Sequence, residues 1–110
     1  MSKPTAPVQL SPALALLQLL TENPTLPAVE WEVRPDGELF GRLWAANTRA
    51  ASAQFQQILG VERVLMVPYS YRGQLMVSED MTAIWRDVQV RMSFRSHASA
   101  YDVAPLAVTA

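Results

Sequence analysis

Apolar and charged residues alternate strictly over residues 29–34, and this pattern restricts the fold more than any other feature of the chain. Val29, Trp31 and Val33 take the apolar positions, between charged neighbours. A period of two predicts a strand with one buried and one solvated face. The following Pro35-Asp36-Gly37 segment supplies residues that favour a tight turn, so a hairpin and a second strand over 38–45 are expected.

Two segments have the characteristics of helices. Ser11 followed by Pro12 is typical of a helix start, because a serine hydroxyl caps free N–H groups and proline lacks one. This first helix is expected to run to about Glu22. A second helix is predicted over 48–59, with Asn47 as its cap and Gly60 as a left-handed stop.

Four strand-like runs follow Gly60, at residues 64–69, 75–78, 81–85 and 88–94. Glu79 and Asp80 fall between two of them and are interpreted as loop residues. The sequence therefore predicts an α+β domain over residues 11–96, with two helices and an antiparallel sheet of about 4–6 strands. The expected order is helix, β-hairpin, helix, β-meander. Residues 1–10 are interpreted as a flexible arm and residues 97–110 as a flexible tail.

Composition narrows the range of functions. A chain of 110 residues fits one domain, and its net charge of -1 provides no global positive field for nucleic acid. Since there is no cysteine, disulfides, thiolate catalysis and cysteine zinc sites are excluded. The leucine-rich segment 14–20 is too short to span a membrane and makes a poor signal peptide, so a cytoplasmic protein is expected.

Few residues suggest catalytic chemistry. His97 is the single histidine, and with no second imidazole or thiol to join it we interpret it as an ordinary residue at a strand end. Glu30 and Glu32 share one strand face, where pairing across the hairpin with Arg42 is favoured over a catalytic carboxylate pair. We expect no catalytic residue, no metal site and no cofactor, and hence no enzyme.

Apolar residues on two elements suggest an interaction surface. Leu14 and Leu17 lie on a helix that is apolar almost all round, and Phe40 and Trp44 lie on the second face of a strand whose first face is also apolar. Large uncovered apolar patches generally mark interaction sites. We therefore expect a homodimer or another protein partner, with these four residues at the interface. The alternative is that the two helices cover opposite faces of one sheet.

A second hypothesis is a small nucleic-acid-binding accessory protein. Arg91 and Arg95 are four residues apart and share one strand face, and Tyr71 and Arg86 would extend this patch. Cations beside aromatic rings favour single-stranded nucleic acid. Alternating charge on a strand also keeps a sheet face soluble without any ligand, so the arginine face is the less favoured hypothesis.

A set of structural positions carries a resemblance to a known group of proteins. These positions are Leu26, Pro27, Trp31, Val33, Gly37, Leu39, Gly41, Phe55, Leu59 and Gly60. The chain resembles small α+β proteins, with no assigned activity, of actinobacteria and of their phages and mobile elements. The resemblance covers roughly residues 10–95 and implies a helix, a hairpin, a second helix and further strands. The chain departs from that pattern over residues 68–80.

Overall fold

The computed structural model describes residues 7–101. Within them lie two helices, five strands and a short 3₁₀ helix. In chain order these are α1 (Leu10–Glu22), β1 (Glu30–Val33), β2 (Leu39–Trp44), α2 (Arg49–Leu59), β3 (Leu65–Tyr71), β4 (Gln74–Trp85), β5 (Val88–His97) and the 3₁₀ helix Ala98–Ala100. The α+β class, the two helices and the expected range of strand number are confirmed. Residues 1–6 of the predicted arm and 102–110 of the predicted tail lie outside the described residues.

The five strands form one mixed sheet in the order β1-β2-β5-β4-β3. Strands β2 and β5 are parallel, whereas the other neighbouring pairs are antiparallel. The prediction of a purely antiparallel sheet is therefore wrong, and the last strand of the meander, not its first, lies beside the hairpin. The reason is the direction in which the chain returns after the α2 crossover. It returns at the far edge of the sheet, where β3 runs in the same direction as β2. Strand β4 is antiparallel to β3 and β5 is antiparallel to β4, so β5 again runs in the direction of β2.

Strand β4 corrects a second prediction. The runs 75–78 and 81–85 belong to one strand of 12 residues. Glu79 and Asp80 are strand residues, paired in register with Phe94 and Ser93 of β5. The carboxylate of Glu79 is buried and accepts hydrogen bonds that compensate for its burial. The sequence alone does not reveal these bonds. The predicted turns at Gly73 and at residues 86–87 are confirmed, with positive φ angles at both.

Both helices pack on the same face of the sheet, α1 against β2 and β5, and α2 against β4 and β5. The alternative in which they cover opposite faces is therefore wrong. Phe55 of α2 lies at the centre of the core, with its ring 5.9 Å from that of Trp31 and 5.7 Å from that of Phe94. Burial of these large rings supplies the main hydrophobic stabilisation. Other fully buried core residues are Leu19, Leu39, Val90 and Met92.

The helix starts differ slightly from the predictions. Helix α1 begins at Leu10 and its N-cap residue is Gln9, so Ser11 is inside the first turn and does not cap the helix. The N-cap position of helix α2 is Thr48, one residue after the predicted Asn47, and the Thr48 side chain makes no capping hydrogen bond. Asn47 still contributes, since its Oδ1 accepts the Arg49 N–H at 3.0 Å. Gly60 ends α2 with a φ of 71°, as predicted.

The described chain ends in a buried polar network beside α2. Tyr101 is buried and its hydroxyl donates to the carboxylate of Glu79, which also accepts the Ser52 hydroxyl at 3.0 Å. Burial, followed by the hydrogen bond to Glu79, raises the pKa of Tyr101 to about 12. The structured part thus reaches at least residue 101, beyond the predicted boundary at 96. None of the helices within residues 7–101 has the length and apolar character that crossing a bilayer needs.

Candidate binding surfaces

Helix α1 has an exposed apolar face on the side away from the sheet. Pro12, Ala15 and Leu19 point into the core, and the opposite side of the helix carries Leu14 and Leu17, which are 48% and 62% exposed. Residues three and four positions apart lie on one helix face. We call the exposed set Leu10, Leu14, Leu17 and Leu20 the leucine face.

The leucine face has no charged residue within it. Residues 10–21 of α1 carry no acidic or basic side chain, and the first charge is Glu22 at the C-terminal end. That carboxylate accepts a two-pronged hydrogen bond from Arg86 of the β4–β5 turn, which also donates to Gln18. The bond to Arg86 lowers the pKa of Glu22, and the same bond raises the pKa of Arg86. Arg86 is therefore already paired.

The opposite face of the sheet is covered by neither helix. The strand register shows which side chains lie on this face. Trp44 pairs with Arg95, Arg95 pairs with Ser78, and Tyr69 pairs with Met76. All of these side chains point away from the helices. We call this the open face. It combines arginines, serines and aromatic rings, and therefore differs in chemistry from the leucine face.

An aromatic cluster with one arginine occupies one end of the open face. Trp44 of β2 and Tyr71 of β3 meet edge to face with their ring centroids 5.0 Å apart, although three strand spacings of about 4.8 Å separate their strands. Arg95 lies beside Trp44 and Tyr69, its guanidinium carbon 5.8 Å from the Trp44 ring and 5.7 Å from that of Tyr69. We call these four residues the aromatic–arginine cluster.

The aromatic–arginine cluster has rings that are exposed to solvent, and it also contains a polar group without a hydrogen-bond partner. Trp44 is 50% exposed and Tyr71 39% exposed, while Met76, the register partner of Tyr69, is fully buried. The hydroxyl of Tyr69 is buried and has no hydrogen-bond partner among residues 7–101. Buried polar atoms are normally paired, so this hydroxyl is available to a polar group that enters the cluster.

A cleft of about 770 Å³ adjoins the cluster and shares Trp44 and Arg95 with it. Phe40 and Trp44 supply aromatic walls, and Arg42 and Ser93 supply polar groups. Its volume is within the range of pockets that hold small molecules, roughly 300–1,000 Å³. Arg42 donates to Glu30 across the hairpin at 2.7 Å, and this bond raises the pKa of Arg42, so the predicted pairing between the two strands is confirmed.

The arginines of the open face differ in their partners. Arg91 lies 3.3 Å from the buried carboxylate of Glu38, and Arg42 is paired with Glu30. Arg95, and Arg72 beside the Tyr71 ring, make no ion pair within 4.0 Å among the described residues. These two guanidinium groups are therefore the cations most accessible to an anionic ligand on this face.

The four residues of the predicted interaction surface lie on two separate surfaces. Leu14 and Leu17 belong to the leucine face, whereas Phe40 and Trp44 lie on the open face, across the sheet. Phe40 is half-buried because the guanidinium of Arg34 stacks on its ring at 4.4 Å. One contiguous surface formed by all four residues does not exist.

The residues of the nucleic-acid hypothesis are also divided. Tyr71 and Arg95 belong to the aromatic–arginine cluster, and Arg91 shares their face but is engaged by Glu38. Arg86 lies in the turn next to α1 and is bound to Glu22, so it is no part of this patch. Sequence reasoning missed Tyr69, although Tyr69 and Tyr71 have the spacing of two residues that places them on one strand face.

Among residues 7–101 the acids and His97 do not form a metal centre. His97 ends β5 and is half-buried, opposite Met76 in the register. Within residues 7–101 there is no group of three or more histidine, cysteine or carboxylate side chains placed to hold a metal ion.

No protein-family model matches the chain, and no curated protein is significantly similar to it.

Proposed function

We propose that this protein is a binding module that acts without catalysis and associates with a second copy of itself through the leucine face. The observation that carries the proposal is the exposure of Leu10, Leu14, Leu17 and Leu20 on one side of α1. Single exposed leucines are common on protein surfaces, but contiguous apolar patches of a few hundred Å² usually mark contacts. The cytoplasm, as the compartment, is part of the same proposal.

The chemistry of the leucine face fits a second copy of the chain. In a two-fold interface each residue meets its own counterpart or a nearby one, so a charged patch would place like charges together. Residues 10–21 avoid this problem because they carry no charge. Two copies of α1 packed antiparallel would also place the positive end of one helix dipole beside the negative end of the other.

The experiment is a measurement of solution mass by light scattering over a dilution series. Wild-type protein should change from dimer to monomer on dilution, with little response to salt because apolar burial carries no screened charge. Leu17→Glu should give a monomer at every concentration, since it buries two carboxylates against each other. Leu14→Ala should weaken the dimer by about 1.5–3 kcal/mol for each buried leucine side chain removed.

Gln57→Glu is the matched control, because it adds the same charge at an exposed position of the other helix. It should leave the dissociation constant unchanged. A wild-type protein that stays monomeric throughout the micromolar range would refute self-association, as would a dimer that persists in Leu17→Glu.

A further inference from the structure

We propose that the open face binds single-stranded nucleic acid, with a base stacked on Trp44 at the cleft and a phosphate bound by Arg95. This goes beyond the proposed function and uses a different surface. The juxtaposition that points to it is the aromatic–arginine cluster, in which residues of β2, β3 and β5 meet on a sheet face covered by neither helix.

The aromatic side chains provide a stacking platform. Half of the Trp44 surface is exposed, and the Tyr71 ring meets it edge to face, so the two rings present surfaces in different directions. Every base has a π-face, and stacking on exposed aromatic rings is the principal contact in sequence-tolerant binding of single strands. Paired bases in a duplex do not offer these faces, so the geometry selects for single strands.

Charge complementarity supports an anionic polymer as the ligand. Two carboxylates of the open face have partners: Glu30 binds Arg42, and Asp80 accepts the hydroxyl of Ser78 at 2.7 Å. Arg95 and Arg72 face the same end of the sheet with no carboxylate within ion-pair distance among the described residues. Two cations next to stacking rings fit the repeat of base and phosphate in a single strand.

The interior of the cluster also suits this ligand. The buried Tyr69 hydroxyl has no partner among residues 7–101, and it belongs to the ring that lies 5.7 Å from the Arg95 guanidinium carbon. A base edge or a phosphate oxygen that enters beside Arg95 would give this hydroxyl a partner. The adjoining cleft of about 770 Å³ is large enough for one nucleotide.

The test is fluorescence anisotropy with a labelled oligothymidylate of about ten nucleotides. Binding should be saturable at low salt. With two phosphates neutralised, the dissociation constant should rise about sevenfold between roughly 50 and 200 mM salt, because the expected slope is about 0.7 per phosphate on a double logarithmic plot. Trp44→Ala should weaken binding by about five- to a hundredfold, and Trp44→Phe should retain most of it.

Arg95→Gln should weaken binding and flatten the salt dependence, while Arg86→Gln, a change of the same charge on the far side of the domain, should alter neither. Tyr69→Phe should weaken binding without lowering the melting temperature, because it removes a hydroxyl without a protein partner. Leu17→Glu should bind the oligothymidylate as tightly as the wild type does. The proposal of nucleic-acid binding and the proposal of self-association can therefore be refuted separately. Absence of binding at low salt, an unchanged affinity in Trp44→Ala, or equal competition by duplex DNA or heparin would overturn the proposal.

Discussion

Gly41→Ala is the substitution whose cost follows most directly from the structure. A Cβ on Gly41 would lie 2.7 Å from Cζ3 of Trp31 and 2.8 Å from Cε of Met92. Ordinary contacts of a Cβ begin near 3.4 Å. The methionine methyl group is the end of a flexible chain, but the indole is a rigid ring held against Phe55. Trp31 therefore has to move.

The expected cost is that of overpacking a filled core. Moving the indole loosens its edge-to-face contact with Phe55, and overpacking typically costs about 1–3 kcal/mol. For a domain of this size each 1 kcal/mol lowers the melting temperature by about 4–8 °C. We therefore expect Gly41→Ala to melt roughly 5–20 °C below the wild type.

The assay is thermal unfolding followed by circular dichroism, with the combined emission of the three tryptophans as a second probe. Gly60→Ala is the control, because a Cβ there meets nothing within 4 Å and only the φ of 71° opposes it; its cost should be about 1 kcal/mol. If Gly41→Ala melts within 2 °C of the wild type, or no lower than Gly60→Ala, the space above Gly41 is not filled as described and the argument fails.

Two further predictions concern buried hydrogen bonds. Tyr101→Phe removes the donor to buried Glu79 and should cost about 1–3 kcal/mol in urea unfolding. Because the folded pKa of Tyr101 is raised to about 12 from 10, its contribution is full below pH 10 and declines toward pH 12, and the difference between variant and wild type should narrow over that range. Ser96→Ala leaves the buried Thr48 N–H without its acceptor at 2.8 Å and should cost about 1–3 kcal/mol in the same assay.

Local sequence patterns predicted the strands and turns whose causes are local. The alternation over 29–34 identified β1, and the one over 88–94 identified β5, because one face of each strand is buried. The turn at Arg86-Asp87 and the left-handed Gly60 depend on backbone preferences of single residues. Such features need no knowledge of the rest of the chain.

These local patterns do not predict how strands and helices distant in the sequence are arranged in space. The parallel pairing of β2 with β5 depends on how the α2 crossover directs the chain, and nothing in either strand's pattern encodes the direction of its neighbour. For the same reason Leu17 and Trp44 were assigned to one surface, although the shared placement of both helices puts them on opposite sides of the sheet. The continuity of β4 was missed because Glu79 and Asp80 resemble loop residues until Ser52 and Ser78 are seen to satisfy them.

The position of the leucine face and the aromatic–arginine cluster on opposite sides of the sheet also determines how the two proposed interactions would combine. The leucine face lies on the outside of the helical layer and the aromatic–arginine cluster lies beyond the sheet, so the sheet stands between them. A dimer formed through α1 would present its two open faces outward and leave both clusters accessible. Each chain would then bind one strand whether or not it is paired, and two sites on one particle would raise the avidity for a long strand that reaches both. A short oligonucleotide should thus bind Leu17→Glu and wild type equally, whereas a strand long enough to span the dimer should favour the wild type.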